Sequence, residues 1–324
     1  MRMDIYCLGD AVVDAIADVP EGFLVAHLLP EGATRQITPD AAAQLLTEKT
    51  YEYVAGGNGA NIANTTALLG GHARFVGKTG ADEQGAFFTS SFHNNVAFQT
   101  APSPDYHTGT VFTFITPDKE RTFAAYCGAS AALSEEDILE DEIKAAGIVY
   151  LDGFTLRSES GYHAMVRALK LAQKHGKKTA FSPNDLSVIE GFGPRCDIFF
   201  QACDYLFFNI GEALRATGRA EFSGLLQYFE NRPQTVVITN GEQGSYILPQ
   251  GRPMLQVGAE ELNTPLIDTN GAGDAYAAGY LYAVSRNASP DQCAKLAALT
   301  ARECLQSQGA RITKDLGFLS DEVF

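Results

Sequence analysis

The sequence predicts an α/β protein in which a mostly parallel central sheet lies between two helical layers, with a small second sheet attached. Short apolar runs typical of buried strands alternate along the chain with amphipathic helical patterns, as expected of a parallel sheet covered by helices. Two further stretches, residues 33–54 and 108–126, interrupt this alternation. Because they interrupt the pattern rather than extend it, we interpret them as a flap over a ligand site.

The predicted elements of the large sheet follow one another along the chain. Apolar runs predict buried strands at residues 5–8, 148–151, 179–181, 205–208 and 236–239. Helical patterns lie between them at residues 62–69, 158–175, 212–217 and 222–229. Ligands of such folds bind at the carboxyl ends of the strands, so the polar residues that follow each run are candidates for a site.

The small second sheet is predicted from the segments TGTVFTFITPD and ERTFAAY, which read as two strands joined by a turn at Pro117-Asp118. The predicted organisation is a discontinuous core of residues 1–10, 56–98 and 127–324, with a lid region of residues 11–55 and 99–126. We expect substrate binding to order residues 108–126, which would exclude water from the reaction.

Composition restricts the ligands that this chain binds. The 324 residues include 39 acidic and 24 basic side chains, a net charge of −15, which disfavours nucleic acid and anionic membrane surfaces as partners. An acidic chain that binds a polyphosphate needs Mg²⁺ to mediate the contact. The six cysteines form no C-x-x-C pair, which predicts buried free thiols. The N-terminus runs directly into a strand pattern, which predicts a cytoplasmic protein without a signal peptide.

The strongest chemical signal is the run IDTNGAGDAYAAGYLYAV, where a glycine-rich turn leads into a helix that begins near Ala272. Gly271 and Gly273 allow the backbone to approach a phosphate, and the free N–H groups of a helix start stabilise negative charge. Asp274 falls in the first turn, where it can accept a proton from a substrate hydroxyl during phosphoryl transfer. The alternative is that Asp274 only complements the helix dipole.

A second glycine cluster, AGGNGANIANTTALLGG, also precedes a helix and offers the amide side chains of Asn58 and Asn61 to neutral hydroxyl groups. The rival interpretation, a dinucleotide fingerprint, fails because its third glycine position falls on Ile62, which argues against a nicotinamide enzyme. The tripeptide at residues 77–79, Gly-Lys-Thr, is not a Walker A loop, since the first glycine of that motif falls on His72. We interpret it as a turn after a strand.

Further polar residues follow other predicted strands. Asp10 and Asp14, in GDAVVD, are placed at the end of the first strand, where paired carboxylates grip vicinal hydroxyls or remain as solvated loop groups. Asn209 and Glu212 suit a Mg²⁺–phosphate network, and the same spacing suits a helix N-cap. The turn ITNGEQGSY is predicted to cover nucleotide phosphates.

Taken together, these segments resemble the ribokinase-like, or PfkB, family of carbohydrate and nucleoside kinases over essentially the whole chain. The first matching signature is GGNGANIA, followed by Gly70 and Gly80, and the second is DTNGAGDAYAAGYL. The resemblance implies an ATP- and Mg²⁺-dependent kinase with a three-layer α/β sandwich and a small β-sheet lid. By this resemblance Asp274 is the catalytic base, and Gly271, Ala272 and Gly273 form the anion hole.

The resemblance also implies the remaining roles. The implied substrate contacts are Asp10, Asp14, Gly57, Asn58 and Asn61. The implied nucleotide contacts are Asn184, Thr239, Gly241 and Gly244, with Ala298 and Ala301 beside adenine. Asn209 and Glu212 match the N-x-x-E motif of the Mg²⁺ network. Asp268 and Asn270, with the loop at residues 307–311, match a site for a monovalent cation such as K⁺.

The substrate is the least determined part of the prediction. The spellings DTNGAGDAY, GDAVVD and ERTF look more like adenosine-kinase-type members, and Phe114, Phe123, Tyr126 and Phe154 offer rings for a purine or for core packing. Adenosine is therefore the predicted acceptor, and a sugar such as ribose or fructose is the alternative. A non-catalytic nucleotide- or sugar-binding protein and a Rossmann oxidoreductase are the rival classes. The family resemblance leaves monomer and homodimer open.

Overall fold

The computed structural model describes residues 3–98, 100–230 and 232–324. In this part of the chain the strands, in sequence order, are β1 (Met3–Leu8), β2 (Val12–Asp18), β3 (Thr34–Gln36), β4 (Glu52–Ala55), β5 (Ala73–Val76), β6 (Val96–Phe98), β7 (Gly109–Ile115), β8 (Arg121–Tyr126), β9 (Ala146–Asp152), β10 (Lys178–Ser182), β11 (Tyr205–Asn209), β12 (Thr235–Thr239), β13 (Ser245–Leu248) and β14 (Leu255–Val257).

The helices of the same residues are α1 (Phe23–Ala26), α2 (Pro39–Glu48), α3 (Asn58–Leu68), α4 (Glu83–Ser90), α5 (Glu140–Ala145), α6 (Glu159–Lys174), α7 (Leu186–Ala202), α8 (Ile210–Thr217), α9 (Phe222–Phe229), α10 (Ala272–Ser285), α11 (Pro290–Leu305) and α12 (Gly317–Val323). None of these helices in the described residues combines the length and the apolar character that crossing a membrane requires.

The large sheet has nine strands in the order β14-β13-β12-β11-β10-β9-β1-β5-β6. Within this sheet the neighbours from β6 through β5, β1, β9, β10 and β11 to β12 pair in the parallel direction. The two pairs at the other edge, β12 with β13 and β13 with β14, are antiparallel. All five predicted strands are therefore confirmed, and their carboxyl ends meet at one edge of the sheet. This edge carries most of the residues that the sequence singled out.

The side chains of the central strand alternate between two apolar cores. Ile5 and Cys7 pack with α3, α10 and α11 on one face, whereas Tyr6 and Leu8 pack with the α5 to α9 layer on the other. Because both faces are covered, the strand is apolar throughout and has no polar–apolar alternation. The three-layer α/β sandwich predicted from the sequence is confirmed.

The small sheet has five strands in the order β3-β8-β7-β2-β4 and its own core, which includes Phe112, Phe114 and Tyr126. Helices α1 and α2 cover that face. The predicted pair of strands is confirmed, since β7 and β8 form an antiparallel hairpin whose turn contains Pro117 and Asp118.

The structure corrects the sequence prediction at the start of the small sheet. Asp14 was predicted to lie at the end of the first strand, but it lies inside β2, which pairs with β4 and β7. The short sequence between the two strands, Gly9 to Ala11, turns the chain from one sheet into the other. The predicted limits at residues 1 and 99 lie outside the described residues.

Candidate active site

The glycine turn before α10 has the geometry that the sequence predicted. Gly271 adopts φ 77°, and a Cβ there would lie 2.6 Å from Cα of Ala310, so a side chain is excluded by both conformation and space. A Cβ at Gly273 would meet no atom within 4 Å, so this residue borders open space. Helix α10 begins at Ala272, which leaves first-turn N–H groups available to an anion.

Asp274 occupies the first turn of α10 and is only 6% exposed. Asn58 Nδ2 donates to its Oδ1 atom and Asn61 Nδ2 to its Oδ2 atom, each at 2.9 Å. Burial raises the pKa of Asp274 to about 6, although the two amides and the more distant charge of Arg311 oppose the rise. The carboxyl group is therefore a weaker acid than a solvated aspartate.

The segment that presents Asn58 and Asn61 depends on Gly57. This residue adopts φ 86°, and a Cβ there would overlap the carbonyl oxygen of Asp10. Helix α3 therefore begins directly over the end of β1. Because residues three apart share a helix face, Asn58 and Asn61 both reach Asp274. Both residues were predicted to contact substrate, and the structure places them against the predicted base.

Arg311 is a buried cation in the loop after α11, and it contacts both the glycine loop before α3 and Asn61 on that helix. Its Nη2 donates to the carbonyl of Gly56 at 2.6 Å and its Nε to Oδ1 of Asn61 at 3.4 Å. Its guanidinium also contacts Phe88 and Phe92. Desolvation lowers the pKa of Arg311 to about 9, against the attraction of Asp14 and Asp274. The sequence analysis named this residue only as the end of a cation-binding loop.

The two acidic residues near the N-terminus lie on different elements. Asp10 follows β1 and accepts a hydrogen bond of 3.3 Å from Thr155 Oγ1, and burial raises its pKa. Asp14 projects from β2 toward the glycine loop, since a Cβ at Gly56 would lie 3.0 Å from its Oδ2. Burial raises the pKa of Asp14 to about 6, and Arg311 opposes the rise. Neither carboxylate is a freely solvated loop group.

Asp152, at the end of β9, is a fully buried carboxylate that the sequence analysis did not identify. It accepts hydrogen bonds from the N–H of Gly59 at 3.2 Å, the N–H of Phe154 at 3.0 Å and Asn184 Nδ2 at 2.6 Å. Burial and the charge of Asp10 raise its pKa to about 7. The sequence does carry a signal for Asp152, which is its position: it follows an apolar run in YLD, just as Asp10 follows one in CLGD.

Asn209 and Glu212 form a capping box at the start of α8. Glu212 N–H donates to Asn209 Oδ1 at 2.8 Å, while Asn209 N–H and Nδ2 donate to the Glu212 carboxylate at 3.0 and 2.8 Å. Burial raises the pKa of Glu212 to about 7, which the Asn209 N–H partly opposes. The helix-capping interpretation is confirmed, and the same two side chains border a cavity.

That cavity, of about 200 Å³, lies at the carboxyl edge of the large sheet. Its polar and glycine lining consists of Asn58, Tyr150, Ser182, Asn184, Asn209, Glu212, Thr239, Gly271, Gly273, Asp274 and Tyr276. Residues from four predicted groups, namely the catalytic base with its anion hole, the substrate contacts, the nucleotide contacts and the Mg²⁺ network, therefore meet around one space. Asn184 adopts φ 65° and accepts a hydrogen bond of 3.3 Å from the hydroxyl of Tyr150, a neighbour that the sequence analysis missed.

Four other predicted nucleotide contacts, Gly241, Gly244, Ala298 and Ala301, do not line this cavity. Gly241 and Gly244, with φ 54° and 85°, form the turn after β12. Ala298 and Ala301 lie on α11, where Ala298 is 7% exposed and packs in the core beside α10. For these two alanines the structure shows the packing role of small helical residues.

The two loops predicted to hold a monovalent cation lie side by side. Asp268 Oδ1 accepts from the N–H of Asn270 at 3.0 Å, and its Oδ2 accepts from the N–H of Gly309 at 3.2 Å. Cys304 Sγ lies 3.4 Å from the carbonyl oxygen of Asn270. The six cysteines, all within the described residues, are free, and only Cys127 among them is partly exposed.

The ring residues considered for a purine separate into two groups. Phe114 and Tyr126 belong to the core of the small sheet, so they face away from the glycine loops. Phe123 lies on the opposite face of that sheet, and Phe154 packs under the guanidinium of Arg157 at 4.2 Å. The Gly-Lys-Thr turn is not a phosphate loop, since the Lys78 ammonium pairs with Asp137 at 2.9 Å.

Comparison with known proteins places this geometry in a family. Residues 5–315 match the family model for the pfkB family carbohydrate kinases. The chain belongs to that family. It is therefore a kinase of the sugar and nucleoside type, and the fold and enzyme class predicted from the two glycine signatures are confirmed.

Individual pfkB relatives carry different substrate names. A 5-dehydro-2-deoxygluconokinase of Listeria monocytogenes is 27% identical over 266 residues, which cover 78% of this chain and 81% of the relative. The crystal structure of adenosine kinase from Sinorhizobium meliloti is 29% identical with a TM-score of 0.89 and covers both chains completely. A protein of Rhizobium etli described as a probable sugar kinase is 27% identical, with a TM-score of 0.88 over 99% of this chain and 98% of its own.

Proposed function

We propose that this protein transfers the γ-phosphoryl group of ATP to a hydroxymethyl group of a sugar or sugar acid. The observation that carries the proposal is Asp274, a buried carboxyl group that borders the cavity, follows the Gly271–Gly273 turn and has a pKa near 6. A general base with this pKa is ionised at neutral pH and can accept the proton of an alcohol.

A sugar-type acceptor is favoured over the adenosine predicted from the sequence. The Listeria relative is named for a deoxygluconate, which is a sugar acid. Two of the four rings considered for a purine, Phe114 and Tyr126, pack in the core of the small sheet. Adenosine remains the second candidate because the Sinorhizobium adenosine kinase aligns over the whole chain.

In the proposed reaction Asp274 accepts the proton of the acceptor hydroxyl, and the start of α10 stabilises the phosphoryl group that is transferred. The acceptor O–H gives its proton to the Asp274 carboxylate as its oxygen bonds to the γ-phosphorus. The bond from that phosphorus to the β–γ bridging oxygen breaks, and ADP leaves. The N–H groups of Gly271, Ala272 and Gly273, at the start of α10, would stabilise the charge of the phosphoryl oxygens.

The residues around the cavity fit a nucleotide with Mg²⁺. Asn184, Asn209, Glu212 and Thr239 offer oxygen and amide groups without a cationic side chain among the cavity's lining residues, so a divalent cation would supply the positive charge. Asn209 and Glu212 would hold Mg²⁺, which when bound neutralises phosphate charge. Gly241 and Gly244 would border the phosphates, and Ala298 and Ala301 the adenine. Asp268 and Asn270 would hold K⁺ if the enzyme uses it.

Asp10 and Asp14 would bind acceptor hydroxyls beside Gly57, Asn58 and Asn61. We further propose that the small sheet, within residues 11–55 and 99–126, acts as a lid over this side of the site. Protease cleavage of the β7–β8 hairpin should slow when acceptor and ATP are present together, whereas equal rates with and without them would contradict the lid. A cytoplasmic location and a monomeric or homodimeric state stay predictions.

The proposal is tested by ADP release from MgATP with a panel of acceptors. The panel contains 5-dehydro-2-deoxygluconate, gluconate, ribose, fructose and adenosine, and the Asp274→Asn variant serves as the blank for contaminating kinases. We expect acceptor-dependent ADP release with a member of the sugar group at a kcat/KM above that for adenosine. A higher kcat/KM for adenosine would support the second candidate. No acceptor-dependent release from any compound would contradict the proposal.

A further inference from the structure

We propose that Arg157 binds a carboxylate of the acceptor and makes this enzyme selective for sugar acids over neutral sugars. This inference rests on the proposed function and names the acceptor class of the same site. It begins from the position of Arg157 at the end of the 3₁₀ turn Gly153–Arg157, directly after β9. The same turn carries Thr155, whose hydroxyl donates to Asp10.

Packing holds the guanidinium of Arg157 in place, but one of its N–H donors has no hydrogen-bond acceptor in the part of the chain that the structure describes. It stacks on the ring of Phe154, with Cζ 4.2 Å from the ring centroid. Its Nε is buried and has no hydrogen-bond partner among the described residues. A buried donor without an acceptor lowers stability unless water or a ligand accepts its hydrogen bond. The Nε N–H of Arg157 therefore has no acceptor among the described residues, and a ligand would reach it only if the surrounding side chains moved.

A second contact shows which space the guanidinium borders. When the Gln36 amide is assigned from its neighbours, its nitrogen donates to the carbonyl of Ala125 at 3.1 Å and its oxygen accepts from Arg157 Nη1 at 3.2 Å. Gln36 lies on β3 of the small sheet. Arg157 thus reaches from the large sheet to the small sheet, across the region between them.

The pairing of the small sheet places Gln36 and Asp14 on the same face. Gln36 pairs with Ala125, Ala125 with Val111, and Val111 with Asp14, so the four residues form one row across β3, β8, β7 and β2. Paired residues of adjacent strands point to the same side of a sheet. Asp14, at one end of the row, faces the glycine loop and Arg311, and the guanidinium of Arg157 contacts the other end at Gln36.

The surrounding charges favour a carboxylate over a phosphate as the anion. Asp10 lies close enough for Arg157 to lower its pKa, and Asp14 lies on the same face of the small sheet. These two carboxylates repel a dianionic phosphate more strongly than a monoanionic carboxylate. A guanidinium also matches the planar, bidentate geometry that carboxylates accept.

The test compares acidic and neutral acceptors in wild-type enzyme and in Arg157→Gln and Arg157→Lys. We expect Arg157→Gln to raise KM for the sugar acid by about 30-fold or more while KM for ATP and for a neutral sugar changes less than about threefold. Arg157→Lys keeps the charge but loses the planar guanidinium, so its KM for the sugar acid should lie between those of wild-type enzyme and Arg157→Gln. Arg232→Gln is the matched control, because Arg232 also stacks on an aromatic ring, that of Tyr228 at 4.5 Å.

Several outcomes would overturn the inference. One is a wild-type enzyme that phosphorylates only neutral sugars or adenosine, which would leave the kinase function intact. Another is an equal loss for acidic and neutral acceptors, which would mean that Arg157 only joins the two sheets. A wild-type enzyme that prefers a sugar phosphate to a sugar acid would show that Arg157 does not select a carboxylate.

Binding provides a readout that does not depend on turnover. Gluconate should raise the Tm of wild-type protein more than the neutral polyol glucitol does, and Arg157→Gln should lose this difference. This result, obtained without turnover of any acceptor, would support the Arg157 site while counting against the proposed reaction. Equal stabilisation by the two compounds in wild-type protein would overturn the role of Arg157.

Discussion

Asn61 Nδ2 donates a hydrogen bond of 2.9 Å to Oδ2 of Asp274, a residue 213 positions further along the chain. This contact joins the two glycine-rich segments into one site. The amide stabilises the ionised carboxylate, which burial would otherwise disfavour. Asn61 therefore acts on the protonation state of the proposed base.

Replacing Asn61 with Ala should move the pH dependence of kcat/KM. Asp274 must be ionised to accept a proton, so activity falls as the pH drops through its pKa near 6. Loss of the Asn61 amide removes a hydrogen bond to the charged form, which raises the pKa and shifts the acid limb upward by about one pH unit. The measurement is kcat/KM from pH 5 to 9 with the best acceptor of the panel.

Asn64→Ala is the control for this profile. Asn64 lies on the same helix and is as buried as Asn61, but it donates to the carbonyl of Ile312 and accepts from the N–H of His93. Its loss should lower stability without moving the acid limb. An unshifted profile in Asn61→Ala, or an equal shift in both variants, would show that Asn61 does not tune Asp274.

Arg311→Met should destabilise the protein strongly. The substitution leaves the Gly56 carbonyl and Oδ1 of Asn61 without their donor, and it removes the cation that attracts Asp14 and Asp274. We expect the free energy of unfolding in urea at pH 7 to fall by about 2–4 kcal/mol, because breaking a buried charge network leaves uncompensated charges.

The matched control for Arg311 is Arg215→Met, which removes an exposed ion pair with Glu190. Exposed pairs contribute little, so the expected loss is below about 0.5 kcal/mol. A loss of similar size in Arg311→Met would mean that desolvation of the guanidinium cancels its contacts. Arg311 would then have no stabilising role in the site.

Gly57→Ala should reduce activity more than its effect on stability alone explains. The φ of 86° is unfavourable for alanine, and the new Cβ would overlap the carbonyl oxygen of Asp10, so the loop must shift. Since this loop presents Asn58 and borders Asp10, we expect kcat/KM to fall by about 100-fold. Steady-state kinetics at a temperature well below Tm measure this effect.

Gly176→Ala separates backbone strain from the shift of the loop. Gly176 also has a positive φ of 60°, but a Cβ there would meet nothing within 4 Å, and it lies just after α6. The control should lose about 1 kcal/mol of stability and keep wild-type kcat/KM. If both variants keep wild-type kinetics, the tight contact between Gly57 and Asp10 does not position the site.

Much of the fold could be predicted from sequence because its signals are local. The run at residues 148–151 is apolar without alternation, which is typical of a strand buried on both faces, and the Gly271 turn marks the start of a helix. The strand β2 was missed because its sequence, VVDAIAD, follows β1 after only three residues and contains two aspartates. The pairing partners of β2, which are β4 and β7, are distant in sequence, so no local pattern predicts this strand.

The site was predicted in part for the same reason. The glycine turns announce themselves by composition, but the contacts of Asp274 with Asn58 and Asn61 form only when α3 and α10 pack together. Asp152 and Arg311 are single charged residues whose burial depends on the tertiary structure. The choice of acceptor depends on which residues lie on the face of the small sheet that carries Asp14. Local sequence patterns do not predict the composition of that face.

The most direct test of the proposed mechanism is Asp274→Asn, measured by titration with MgATP and by acceptor-dependent ADP release on the same preparation. The substitution keeps the size of the side chain and removes the base, so we predict that Kd for MgATP stays within about threefold of wild type while kcat falls by about 100-fold or more. Turnover within threefold of wild type, with ATP binding intact, would contradict the role of Asp274 as the base.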